Sequence, residues 1–173
     1  MQKKILKPFW QTLALGVLAG MRANSAPAVV SHILSNHPSA QLKNSPLKLL
    51  QSPKVANVLK VLALGEFVGD KLPVAGDRIK PVSVTFRSLS GSLAGTSIYK
   101  ASGNHTLAGA VLGAAAAFGS TFGSFYLRKM IVEKTGIYDP IIGAIEDILV
   151  VGVAVSLIKY SEQEASEFEL VKK

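Results

Sequence analysis

Apolar residues along this chain gather into five long runs, separated by short polar breaks that carry most of the prolines and lysines. The fourth run is the clearest. Leu107 to Leu127 holds no charged side chain over 21 residues, about 31 Å as a helix at ~1.5 Å per residue. That length matches a hydrocarbon core of about 30 Å, and the run stops at Arg128 and Lys129. Gly and Ala lie all around it, so it has no polar face for water. The first run, Phe9 to Leu34, is interrupted by Arg22 and Pro27. Pro27 lacks an N–H and opposes the carbonyl of Ala23, which predicts a kinked or re-entrant segment there. The second run, Val55 to Val68, is short and carries Lys60 and Glu66. The third, Val82 to Tyr99, contains Arg87, and the fifth, Pro140 to Ile158, contains Glu146 and Asp147.

The breaks follow turn chemistry. Ser35 to Pro53 holds three prolines, Asp70 to Pro81 mixes charge with two more, and Ser102-Gly103-Asn104 is a tight turn. Ile131 to Asp139 reads as a polar loop. Residues 161–173 form an acidic tail, in which Ser161 and Glu164 match a helix capping box. The expected architecture is an all-α membrane protein. Residues 1–160 form one polytopic bundle of about five spans, followed by that tail. A pairing of runs one and two with runs four and five suggests an inverted repeat.

Composition supports a membrane rather than an aqueous setting. Of 173 residues, 49% are hydrophobic and 17% charged, against about 25% charged in soluble domains. The absence of Cys removes disulfides, thiolate metal sites and cysteine nucleophiles. The net charge of +8 does not indicate nucleic acid, because the Lys and Arg punctuate apolar runs without interleaved aromatics. They suit lipid headgroups instead. Lys3, Lys4 and Lys7 ahead of Thr12–Gly20 resemble a secretory signal. Cleavage after Ala26 is disfavoured by Asn24 two residues before it and Pro27 just after, so the segment is kept. Loop Lys and Arg counts favour a cytoplasmic N-terminus and an external C-terminus for five spans.

Gly-x-x-x-Gly occurs at Gly16/Gly20, Gly65/Gly69, Gly91/Gly95, Gly109/Gly113 and Gly119/Gly123. Such pairs let helix backbones approach, within a bundle or across a homo-oligomer. Charge inside apolar runs is costly and must be paired or wet. Arg22, Glu66, Asp70, Arg87, Glu146 and Asp147 are therefore the candidate site, with Arg22 expected to pair with Glu66 or Glu146. Two readings fit. One is a transporter or channel for a small ion or polar solute, lined by these six residues. The other is a non-catalytic scaffold or partner-binding subunit in which they are structural ion pairs. Glu66, Asp70 and Glu146 are oxygen donors of the type a hard cation takes, but no motif demands a metal. His32, His37 and His105 are not spaced as ligands. Phosphate loops, nucleophile elbows and zinc helices are missing, so no catalytic residue or cofactor is assigned.

Gly20, Arg22 and Pro27, then Glu66, Asp70, Lys71 and Pro73, then Arg87 with Ser88, Ser90 and Gly91 resemble a bacterial membrane family, domain of unknown function 4126. The resemblance covers most of the chain. It implies a small multi-pass protein of a bacterial inner membrane and carries no activity with it.

Overall fold

The computed structural model describes residues 7–69 and 79–170. Among them are six α-helices and two short 3-10 turns, with no strand. The helices are α1 (Pro8–Met21), α2 (Ser25–Asn36), α3 (Pro53–Gly69), α4 (Pro81–Ala101), α5 (Thr106–Thr135) and α6 (Asp139–Leu170).

The expected first run is thus two helices, of 14 and 12 residues. They break at Arg22–Asn24, where Arg22 is extended. Pro27 does not itself sit at the break. It is the third residue of α2, where a missing N–H costs nothing because first-turn amides lack an intrahelical acceptor. Its ring cannot tolerate a helical carbonyl at Ala23, so the break falls one turn upstream of it.

Side-chain contacts set the directions. Thr12 packs on Gly95, and Arg87 reaches Gly20, so α1 and α4 are antiparallel. Gly16 meets Gly113 and Ala116, and Gly20 meets Ala117, so α1 and α5 are parallel. The return helix α2 starts where Ser90 bonds the Ala23 carbonyl and leads to Ser39, whose hydroxyl donates to Ala101 at 2.9 Å. Hence α1 and α2 form a helical hairpin that runs in along α4 and comes back toward its starting level. The start of α1 and the last turns of α6 therefore lie at one end of the bundle, where Glu162 on α6 acts electrostatically on His32 of the returning α2. The expectation of opposite sides assumed that the first run crosses once.

The packing of α1, α4 and α5 depends on glycine. A Cβ on Gly16 would lie 2.5 Å from that of Ala116. One on Gly20 would lie 2.7 Å from the Cβ of Ser120, and one on Gly109 2.7 Å from the Cβ of Tyr99. Gly91 and Gly95 face Gly113 and Gly109 backbone to backbone. Gly65, Gly69, Gly119 and Gly123 meet nothing within 4 Å. Three of the five glycine pairs thus pack helix on helix, and two face outward.

Among the described residues, α5 and α6 alone are long and apolar enough to cross a membrane, and about a fifth of the most apolar stretch of each is buried. Five spans are not confirmed among the described residues. Helix α5 continues through most of the expected 131–139 loop and stops at Thr135, ahead of the left-handed Gly136. Helix α6 runs through the expected tail boundary to Leu170. Ser161 does not cap a new helix; its hydroxyl donates to the Ile158 carbonyl at 2.7 Å. A hairpin and α3 before α4, against two single helices after it, also remove the inverted-repeat correspondence.

A charged clamp on the tip of a helical hairpin

The hairpin tip, Arg22-Ala23-Asn24, concentrates unsatisfied backbone. The end of α1 leaves carbonyls, and the start of α2 leaves amides. The two ends also carry opposite partial charges, negative at the end of α1 and positive at the start of α2.

Each end meets a side chain of the complementary sign. Arg87, on the second turn of α4 and 5% exposed, donates from Nη1 to the carbonyls of Gly20 at 2.6 Å and Met21 at 2.9 Å. Its Nε is tied to Ser83 one turn earlier at 3.3 Å, which aims the guanidinium. Glu66, near the end of α3, accepts from the Ala23 amide at 2.9 Å and the Asn24 amide at 2.8 Å, one oxygen each. Hydroxyls complete the set. Thr121 donates to the Gly20 carbonyl at 3.2 Å, Ser120 to Val17 at 2.9 Å, and Ser90 to Ala23.

Arg22, between the two ends, is 2% exposed. It pairs with Asp147 of α6 through Nη2 and, at 3.1 Å, through Nε. Its guanidinium carbon lies 5.1 Å from the centre of the Phe67 ring. The expected partners, Glu66 and Glu146, are both otherwise engaged. Glu66 is bound to the tip amides. Glu146, one residue from Asp147, points around α6 to Arg128 of α5 at 3.4 Å. Arg128 also holds Asp139 in a two-pronged pair, at 2.7 and 2.6 Å. Gly143 leaves room for this, since a Cβ there would come within 3.3 Å of the guanidinium.

Of the six candidate residues, Arg22, Glu66, Arg87 and Asp147 thus converge on the tip. Glu146 belongs to a separate α5–α6 brace, and Asp70 lies outside the described residues. Glu66 and Glu146 having different partners, the oxygen-donor set with Asp70 is not assembled among the described residues. Arg128 and Asp139 were missed from the sequence, where Arg128 reads as an anchor beside a polar loop. A signal existed in the seven-residue spacing of Asp139 and Glu146, which puts both on one helix face. Ser90 stood only among the residues of the family resemblance, and Ser120 and Thr121 carried no signal beyond their type.

The tip lies near the middle of the charge-free run. Gly20 touches α5 at Ala117 and Thr121, and Ala117 is the midpoint of Leu107–Leu127. The tip therefore sits within about 6 Å of that midpoint along the helix. The hairpin contributes nothing past this level, while α4 continues from Arg87 to Pro81, α5 from Thr121 to Thr135, and α6 from Asp147 back to Asp139.

In comparison with known proteins, residues 10–163 match the family model described as Domain of unknown function (DUF4126), and the chain belongs to that family. No curated protein and no solved structure matches it.

Proposed function

We propose that this member of the DUF4126 family is a multi-pass protein of the bacterial inner membrane that binds and passes a small ion or polar solute at the tip of its α1–α2 hairpin. The observation that carries this is the position of the break. Two short helices end together, midway along a charge-free helix, with opposite helix ends and four charged side chains around them. Interrupted helices in a bilayer are tolerated where the freed backbone is buried in protein or lines a cavity. Helix ends at mid-depth are suited to ion and solute binding.

The surface supports a lipid setting. Leu62, Leu64, Phe86, Leu89, Val111, Phe118, Ile148 and Leu149 are each at least half exposed, while Arg22 and Arg87 are buried. In water that distribution is inverted. Loop charge then sets the orientation. Among the described residues, Lys7, Lys43, Lys48, Lys54, Lys100 and Lys159 flank the end where α1 starts and α6 finishes. Lys80, Lys129 and Lys134 flank the other, where Arg128 is taken up by its carboxylates. The start of α1 faces the cytoplasm, the hairpin enters from there, and its tip is approached from outside.

A second reading rests on a different observation: each charge at the tip already has a partner in the fold. On that basis the protein is a scaffold whose charges lock the hairpin. The natural absence of Cys makes the test clean. With Asn24→Cys in intact membranes, an impermeant thiol reagent is expected to label from the outer face, and labelling to slow solute or proton flux in vesicles. A Lys43→Cys control should label from the cytoplasmic face. An inert thiol in the Asn24→Cys variant, beside a reactive one in the Lys43→Cys variant, overturns the transport reading in favour of the scaffold.

A further inference from the structure

We propose that the apolar groove between α2, α3 and α6 holds an acyl chain of an anionic phospholipid, with the lipid phosphate at Lys60; the proposal rests on the membrane reading above. The groove has a volume of about 300 Å³ and opens to the side of the bundle. Ser25, Phe67 and Val151 line one end, beside the hairpin tip, and Lys60 and Ile158 line the other. Between Val151 and Ile158 a helix rises about 10 Å, so the groove runs along the bundle, in the direction a lipid chain takes.

Its lining is apolar apart from Ser25 and Lys60. Lys60 is half-buried on α3 and has no carboxylate partner among the described residues. Its neighbours in charge are His32 on α2 and, facing His32, Glu162 on α6. Lys60 shares the groove with Ile158, the last apolar residue of α6 before Lys159, and lies about 7 Å inside the end of the apolar run of α3 at Val55. A lysine at that depth rests its methylenes on the groove and lifts its ammonium to the headgroups. A cation above an apolar slot complements an acidic headgroup on a hydrocarbon chain. A second apolar helix would leave that charge unanswered.

The test compares wild type with Lys60→Gln and Val151→Trp, a substitution at the half-exposed rim of the groove. Each purified protein is equilibrated with phosphatidylglycerol and phosphatidylcholine of the same chains, and retained lipid is counted by native mass spectrometry. Wild type should retain phosphatidylglycerol over phosphatidylcholine by about fivefold, the equivalent of about 1 kcal/mol for one lysine near a headgroup. K60Q should bring the ratio to near one, and V151W should lower retention of both lipids. The proposal is overturned by a wild type without headgroup preference, by K60Q keeping the preference, or by V151W leaving retention unchanged. A lipid-free dimer that V151W dissolves would overturn it in favour of a second copy in the groove. Alkaline extraction of the same cells separates the two failures. Release of the chain from membranes defeats the membrane reading itself, whereas a retained chain without the preference defeats the lipid site alone.

Discussion

Helices α1, α4 and α5 and helices α3 and α6 are built on opposite principles. In the first group, glycines bring backbones into contact, and a Cβ at Gly91 or Gly95 would overlap the opposing chain. The second group has no such seam; its apolar side chains, like Phe86 and Phe118 in the first, point outward, with Val58, Val61, Leu64 and Val68 on α3 and Ile148, Leu149 and Val151 on α6 half exposed or more. Gly65 on α3 and Gly152 on α6 meet nothing. The charged residues fasten one group to the other. Glu66 ties α3 to the tip, Arg22 ties the tip to α6, and Arg128 ties α5 to α6. Close backbone packing holds the inner three helices, whereas α3 and α6 join the bundle through apolar side chains such as Phe67 and Val150 packed on the core and through a few polar contacts at the tip. Lipid tails are as apolar as a leucine, so apolar surface alone gives helices in a bilayer little reason to associate.

The comparison can be broken at its joints. Arg22→Ala removes the arginine from its buried pair with Asp147 beside the tip, and loss of one member of a buried pair costs about 3–5 kcal/mol. The expected result is a large drop in the unfolding midpoint in mild detergent titrated with SDS. Little change would mean that Arg22 is not what joins α6 to the tip.

Gly95→Ala should cost about 1–3 kcal/mol in the same titration, because the added methyl forces α4 away from α5. Gly65→Ala, with open space around it, should stay within about 0.5 kcal/mol. Equal effects at the two positions would erase the distinction between the two groups of helices.

Glu66→Gln sharpens the contrast between capping and mere proximity. Glutamine keeps one oxygen for a tip amide and turns an NH₂ toward the other. The expected cost is about 1.5–3 kcal/mol, in the range of a hydrogen bond to a charged group. Hydrogen exchange at the Ala23 and Asn24 amides should accelerate. Unchanged exchange would remove Glu66 from the tip.

The smallest effect belongs to the outer brace. The Asp139 side chain is 56% exposed, so Asp139→Asn should cost below about 1 kcal/mol. A cost near that of Arg22→Ala would show α5 and α6 joined chiefly at their far ends rather than at the tip.

Local chemistry made much of this molecule legible. A charge-free run of 21 residues predicts one long apolar helix, and α5 is there. The break in the first run was legible within a turn, because the proline ring forbids a helical carbonyl four residues earlier. That Arg22, Glu66, Arg87 and Asp147 form one site was legible in part, since charges inside apolar runs must meet something. Their partners were not. Glu146 and Asp147 are adjacent and chemically alike, yet about 100° of helical rotation sends one to Arg128 and the other to Arg22. Sequence spacing says they diverge without saying which faces the tip.

The extended backbone at Arg22 likewise lets the chain either run on or reverse. Reversal became decided only when α4 and α5 offered a glycine-lined seat for α1, and α3 offered a carboxylate for the start of α2. The sequence by itself therefore determined which segments are helical, where one must break and which charges need partners. These follow from bonds and sterics within a few residues. Tertiary structure alone decided that the broken segment is a hairpin, and which carboxylate answers which arginine. Those depend on the azimuth and depth at which separate helices meet.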